Sequence, residues 1–306
     1  MKHAVLRQRI KPFMLPIAML GGILFHDFID KVEFLAPYLI FVMLLITFCK
    51  VKPSEFRITG LSWSLLAVQL LGSLGIYFAI LPINPDIAQG AFICIFCPTA
   101  TAAPVITCML GGSVPRLATF SIISNLCVAL TAPVIFSMMN TDGAIHITPT
   151  EAILAISSRV APMVILPLAL AFLLLYTAPK VHRAIATRQN LSFYIWAVSL
   201  FIVVGRAISF IIKEPTEKTG EMLCIAIISG IVCCGQFLAG RKIGRRFGDK
   251  IAGAQGLGQK NTVLAIWMAL TYLNPISSVG PAAYVAWQNT INSWQLYRKA
   301  HIGHNT

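Results

Sequence analysis

The apolar residues of this chain constrain its fold most. They fall into ten stretches near bilayer-crossing length, at about 12–29, 34–49, 60–82, 87–111, 116–139, 152–177, 191–212, 220–240, 250–273 and 278–297. Hydrocarbon satisfies no backbone N–H or C=O, so a spanning chain must be helical or form a closed barrel. Runs of this length predict helices. The chain is 57% hydrophobic and 11% charged, whereas soluble domains run to about 45–50% apolar and about 25% charged. The expected fold is an all-α polytopic membrane protein, a single integral unit over 1–306 with no room for a separate soluble domain. The N-terminus is basic and then apolar, as in a signal peptide. Phe25-His26-Asp27-Phe28 stands where small residues would mark cleavage, so this stretch is expected to remain as the first span.

Charge supplies an independent check. A formal charge of +13 would suit a nucleic-acid partner if it were clustered, but the basic residues sit in short loops between apolar spans. Alternating from an inside N-terminus, the inner segments carry 18 of the 24 Lys and Arg, including Lys2, Arg7, Lys50, Arg116, Arg183, Arg245, Arg246 and Lys299. The outer loops hold only Lys31, Lys213 and Lys218, together with most of the acids. This is the positive-inside pattern. It predicts a multi-pass inner-membrane protein with both termini cytoplasmic. The eight cysteines lie in or beside apolar segments and read as small buried hydrophobes. Cys94 and Cys97 form a CxxC, but no histidine or further thiolate set accompanies them, so no metal is expected.

Two spans are interrupted. The ninth contains Gly256-Leu257-Gly258-Gln259-Lys260-Asn261-Thr262, and the fourth contains Cys97-Pro98-Thr99-Ala100-Thr101-Ala102-Ala103-Pro104. Polar groups at membrane depth cost several kcal/mol each unless protein or a wet cavity satisfies them. Both segments therefore predict broken helices lining a binding site, the signature of a secondary transporter. An ordinary proline-kinked fourth span is the alternative, with Thr99 and Thr101 satisfying freed carbonyls. A short internal match supports duplication: Phe13-Met14-Leu15-Pro16-Ile17-Ala18-Met19-Leu20 reads like Val164-Ile165-Leu166-Pro167-Leu168-Ala169-Leu170-Ala171. With five spans per half, repeats over about 12–139 and about 152–298 would be inverted.

Once the loop charges are set aside, three cations remain at membrane depth, Arg159, Arg206 and Lys260, with no acid beside them. Buried charges find partners. The available partners are helix C-terminal carbonyls, water and an anionic solute. Arg159 and Arg206 lie near enough to span ends to snorkel, whereas Lys260 is mid-span. Each break also creates a half-helix N-terminus, near Thr99–Thr101 and near Asn261–Thr262, whose free N–H groups and dipole favour an anion. The preceding half-helices end in carbonyls that favour a cation.

Cys97–Pro104, Gly256–Thr262 and Trp287-Gln288-Asn289 resemble the bile acid/sodium symporter family, and the resemblance covers essentially the whole chain. Related families in that superfamily export arsenite or carry other organic anions. The resemblance implies a panel domain of spans one, two, six and seven. It implies a core domain of spans three to five and eight to ten, with solute bound where spans four and nine cross. The family's substrate-contacting threonine and asparagine fall on Thr101 and Asn261. Its Trp-His-Asn becomes Trp287-Gln288-Asn289, without the histidine. Its sodium-site glutamine in span three falls on Gln69. Its sodium-ligating glutamate, however, falls on Gly256, the glutamine four residues on falls on Lys260, and the Ser-Asn pair of span four falls on Ala103-Pro104. Ser121 keeps only a hydroxyl in span five.

These departures lead to an expectation: Lys260 replaces sodium, because two monovalent cations do not share a small cavity without a carboxylate between them. The expected solute is a small organic anion held by Thr99, Thr101, Asn261, Thr262, Gln288 and Asn289, with Arg159 and Arg206 as further anion contacts. No cofactor is expected. A desolvated ammonium can shed its proton, which leaves proton coupling open. The rival is a sodium-coupled symporter of a bile acid or a pantoate-like anion, using a reduced site of Gln69, Ser121, Gln259 and carbonyls. A membrane-embedded hydrolase lacks a base at depth, since only His26 lies near a span interior. An anion channel would need charged rings along a span, and none recurs. No feature of the sequence sets an oligomeric state.

Overall fold

The computed structural model describes residues 20–21, 24–29, 31–49, 57–100, 103–139, 149–213 and 216–302. After one helical turn at His26–Ile29, its longer helices are α1 (Ala36–Phe48), α2 (Gly60–Ile80), α3 (Pro85–Phe96), α4 (Ala103–Leu110), α5 (Val114–Met139) and α6 (Pro149–Thr177). They continue as α7 (Pro179–Ala186), α8 (Gln189–Lys213), α9 (Thr219–Arg246), α10 (Lys250–Gly258), α11 (Thr262–Tyr272) and α12 (Val279–Ile302). Among the described residues there is no strand, only one isolated antiparallel bridge between Thr99 and Lys260. Of the predicted first span only residues 20–21 and 24–29 are described, and the Phe13–Leu20 match lies outside the described residues except for Leu20.

Three of these helices, α2, α5 and α9, are long and apolar enough to cross a membrane; shorter apolar helices cover Glu33–Phe48, Pro85–Phe96, Ile165–Thr177 and Thr262–Tyr272. Their outer faces are apolar. On α9, Leu223, Ile227, Ile231 and Leu238 are all more than half exposed. Contiguous apolar faces of this kind suit hydrocarbon rather than water. The protein is an all-α, membrane-embedded chain.

Two elements differ from the sequence expectation. Residues 179–186, read as part of an inner loop, form α7. Pro179 sits in its first turn, where a missing N–H costs nothing. Its apolar Val181 and Ile185 alternate with Lys180 and Arg183 at helical spacing, the pattern of a helix lying along an interface. The eighth span also runs past residue 240 to Arg246. Its last turn carries Arg245 and Arg246, where cations complement the negative end of the helix dipole.

Tertiary packing brings both interrupted segments into the core. Phe92 and Phe96 of α3 stack with ring centroids 4.9 Å apart. Phe96 meets Phe136 of α5 edge-on at 5.8 Å, and Phe136 stacks on Tyr272 of α11 at 5.8 Å. This aromatic column ties a half-helix of the fourth predicted span to one of the ninth. On the other side, α9 and α10 touch backbone to backbone. A Cβ on Gly240 would collide with the carbonyl of Gly253, and one on Gly253 with the carbonyl of Gly240. Gly240 and Gly244 form a GxxxG on α9, the spacing that lets membrane helices approach closely.

Candidate functional site

The site is the place where the two breaks meet. Helix α3 ends at Phe96 because Pro98 cannot continue it and Cys97 turns extended. Helix α10 ends at Gly258, and Gln259 is likewise extended. The two extended pieces pair. Ala100 N donates to Gln259 O at 2.9 Å, and Asn261 N donates to Pro98 O at 2.8 Å. Each break thus supplies the hydrogen bonds that the other lost by leaving its helix, which is what lets non-helical backbone persist at membrane depth. Side chains reinforce the pairing. Thr99 Oγ1 donates to Gly256 O at 2.8 Å, and Cys97 Sγ donates to Asn261 O at 3.0 Å.

Lys260 lies at the centre and is 1% exposed. Its Nζ donates to Ile95 O at 2.7 Å, so a residue of one broken segment caps the C-terminus of the other's first half-helix. An ammonium there meets the unsatisfied carbonyls and the negative end of the dipole of α3. The titratable groups around it are the thiols of Cys94, Cys97 and Cys233. Among the described residues no carboxylate pairs with it. Its backbone N donates to Gln288 Oε1 on α12 at 2.9 Å.

Asn261 is the N-cap of α11, its Oδ1 accepting from Leu264 N at 3.2 Å. Three buried polar atoms at this junction have no hydrogen-bond partner: Gln259 Oε1, Asn261 Nδ2 and Thr262 Oγ1. Buried polar groups are nearly always satisfied; of these atoms Asn261 Nδ2 and Thr262 Oγ1, set at a helix N-terminus beside a cation, can donate to an anionic guest, whereas Gln259 Oε1 calls for a donor.

The other predicted residues fall as follows. Thr101 lies outside the described residues, as does the side chain of Arg159 on α6. Asn289 is half-buried and donates through Nδ2 to Val285 O at 2.6 Å, one turn back along α12. Ser121 is buried on α5, where its carbonyl accepts from Asn125 Nδ2. Gln69 is fully buried and fully engaged. Its Nε2 donates to Phe96 O at 2.7 Å and reaches Cys97 O at 3.3 Å, while its Oε1 accepts from Ser124 Oγ at 2.7 Å. Gln69 therefore also caps α3.

Arg206 departs from the expectation that no acid accompanies the membrane cations. Its Nε lies 2.7 Å from Glu33 Oε2, with side chains 41% and 42% exposed. The sequence placed Glu33 in an outer loop and Arg206 two turns into a span, and the packing of α8 beside α1 brings them together. At that exposure the pair contributes under about 1 kcal/mol.

Several site residues escaped the sequence reading. Tyr284 donates to Gly258 O at 3.0 Å and accepts from Gln236 Nε2 at 2.9 Å. Ser124 holds Gln69, and Gln255 bonds Asn292 and Gln295. The signal that could have found the last set is Gln288, Asn292 and Gln295 at helical i, i+4, i+7 spacing within an apolar span.

No protein-family model matches the chain, and no curated protein matches it.

Proposed function

We propose that this protein is a secondary transporter of a small organic anion, working by alternating access without sodium, in which Lys260 occupies the place a coupling sodium ion would take. The observation that carries this reading is the buried ammonium of Lys260 at the crossing, capping α3 beside the unpartnered donors Asn261 Nδ2 and Thr262 Oγ1. The reading includes ten spans in two inverted five-span repeats and a place in the bile acid/sodium symporter superfamily. It also includes an inner-membrane setting with both termini cytoplasmic. The crossing of two broken helices and the positive-inside charge pattern support it.

The sodium-coupled alternative loses support at two positions. Gln69 spends its amide on Phe96 O and Ser124. Gly256 faces Phe120 and Leu65, which a Cβ there would approach to 3.0 and 3.1 Å. The place of a sodium-ligating carboxylate is thus filled by an apolar cluster that includes Leu61, Leu65, Phe120 and Leu257. Gly256→Glu is expected to destabilise the fold by several kcal/mol, because it buries an unpaired carboxylate, and to create no sodium dependence. Thermal unfolding of the variant with and without sodium checks this.

The direct test is a thermal-shift screen of small mono- and dicarboxylates, followed by uptake of the best binder into proteoliposomes. A binder at 100 times its Kd stabilises by about 2.7 kcal/mol. Replacing sodium with choline is expected to leave uptake unchanged. Collapse of uptake on that replacement would reject the role given to Lys260.

A further inference from the structure

Away from the crossing, two loops meet in a recess of about 450 Å³, lined among others by Gly111, Ser113, Arg116, Gly248, Asp249 and Lys250. One loop joins α4 to α5 and the other joins α9 to α10. Each leaves its helix through a glycine in the left-handed region, Gly111 at φ 85° and Gly248 at φ 74°, a conformation that a side chain would strain. Two hydrogen bonds tie the loops together. Ser113 N donates to Asp249 Oδ2 at 2.8 Å, and the Arg116 guanidinium donates to Phe247 O at 2.8 Å. The recess lies at the N-terminal end of α10, whereas Lys260 follows its C-terminal end. Nine residues of helix, about 13 Å, stand between them.

The recess is cationic. Arg116 and Lys250 are both exposed. Arg116 spends one nitrogen on Phe247 O, which leaves further N–H groups of its fork for a ligand. Lys250 has no side-chain hydrogen bond or ion pair among the described residues. Lys299 adds a third charge at the wall: its Nζ donates to Met109 O at 3.0 Å and lies 3.1 Å from where a Cβ on Gly111 would stand. Asp249 is the one acid in the lining, and both its oxygens are engaged, Oδ2 by Ser113 N and Oδ1 by Ala252 N at 2.8 Å. The lining therefore keeps an excess of positive charge, which concentrates anions.

The end of α12 sets the depth of the recess in the bilayer. Lys299 is anchored at the wall. Trp294 and Tyr297, just before it, are 55% and 63% exposed, and Arg298 lies over the Trp294 ring, 5.3 Å from its centroid. Exposed Trp and Tyr beside Arg and Lys at the end of an apolar helix mark the boundary between hydrocarbon and headgroups. Basic pockets between membrane helices at that level hold anionic headgroups. A guanidinium with an ammonium matches a phosphate in geometry and in charge.

We propose that the recess binds the phosphate of an anionic phospholipid from the Lys/Arg-rich leaflet, with Arg116 and Lys250 as its ligands. The headgroup joins the loop that follows the first broken span to the loop that precedes the half-helix before the second break. The site goes beyond the transport reading and does not depend on it, since it uses no residue of the crossing.

The test is thermal unfolding in a neutral maltoside detergent and phosphate-free buffer, with phosphatidylglycerol, phosphatidylcholine or inorganic phosphate added. Phosphatidylglycerol is expected to raise the melting temperature by several degrees through mass action, and the other two to leave it unchanged. Arg116→Gln/Lys250→Gln is expected to lose most of that shift. Arg183→Gln/Arg188→Gln removes two exposed cations that do not line the recess, and is expected to keep it. If the first double variant fails to fold, Lys250→Gln alone carries the comparison. An equal shift from inorganic phosphate would make this a free-anion site and overturn the lipid. No shift with phosphatidylglycerol, an undiminished shift in Arg116→Gln/Lys250→Gln, or an equal loss in Arg183→Gln/Arg188→Gln would overturn the recess as the binding place.

Discussion

Lys260→Met is expected to weaken anion binding about a hundredfold and to abolish uptake while leaving a folded but weakened protein. Methionine nearly matches the length of lysine but donates nothing, so Ile95 O loses its partner and α3 loses the cation at its C-terminus. A hydrogen bond from a charged group contributes about 1.5–3 kcal/mol, so the melting temperature falls by several degrees. Binding suffers as well, because the variant removes the cation that complements the solute. A loss of about a hundredfold corresponds to about 2.8 kcal/mol. Lys260→Arg is not expected to rescue it, since a planar guanidinium does not fit the place of a compact ammonium. Calorimetric titration with the best carboxylate from the screen, run beside thermal unfolding, separates the two effects. Normal uptake by Lys260→Met would remove the lysine from the mechanism altogether.

Gly253→Val is expected to prevent folding. At this position a Cβ runs into the backbone of α9: the carbonyl of Gly240, Gly244 Cα at 2.8 Å and Gly244 N at 3.0 Å. Side chains can rotate away from an intruder, but two helix backbones can only separate. Overpacking costs about 1–3 kcal/mol where neighbours yield, and here separation would also pull α10 away from the crossing it helps build. The measurement is monodisperse yield after extraction in mild detergent. Gly235→Val on α9 is the control, since a Cβ there meets nothing within 4 Å, and it is expected to purify like the unmodified chain. Equal yields for the two variants would show that close contact between α9 and α10 is not needed.

The two breaks behave differently toward sequence reading. Pro98 and the Gly256–Gly258 pair mark where helices stop, and the structure ends α3 and α10 within two residues of those marks. Boundaries were legible elsewhere for the same reason. Lipid satisfies no backbone group, so an apolar run has little choice but to be helical from end to end. The extension of α9 to Arg246 and the helix α7 were less legible, because water at the interface leaves a charged segment free to be helix or loop.

Amino-acid order alone determined that this chain lives in a membrane as helices, that two of them are interrupted, and that Lys260 sits at one interruption without a neighbouring acid. It could not say what Lys260 grips. The answer, Ile95 O, lies 165 residues away, and no local rule of spacing reaches so far. Tertiary packing likewise gave Arg206 its partner Glu33, spent the amide of Gln69 on α3, and turned the polar residues of α12 into one stripe against α10. Helix formation in lipid is a local necessity that each segment meets by itself. The pairing of one segment's orphaned groups with another's is settled only when the helices meet.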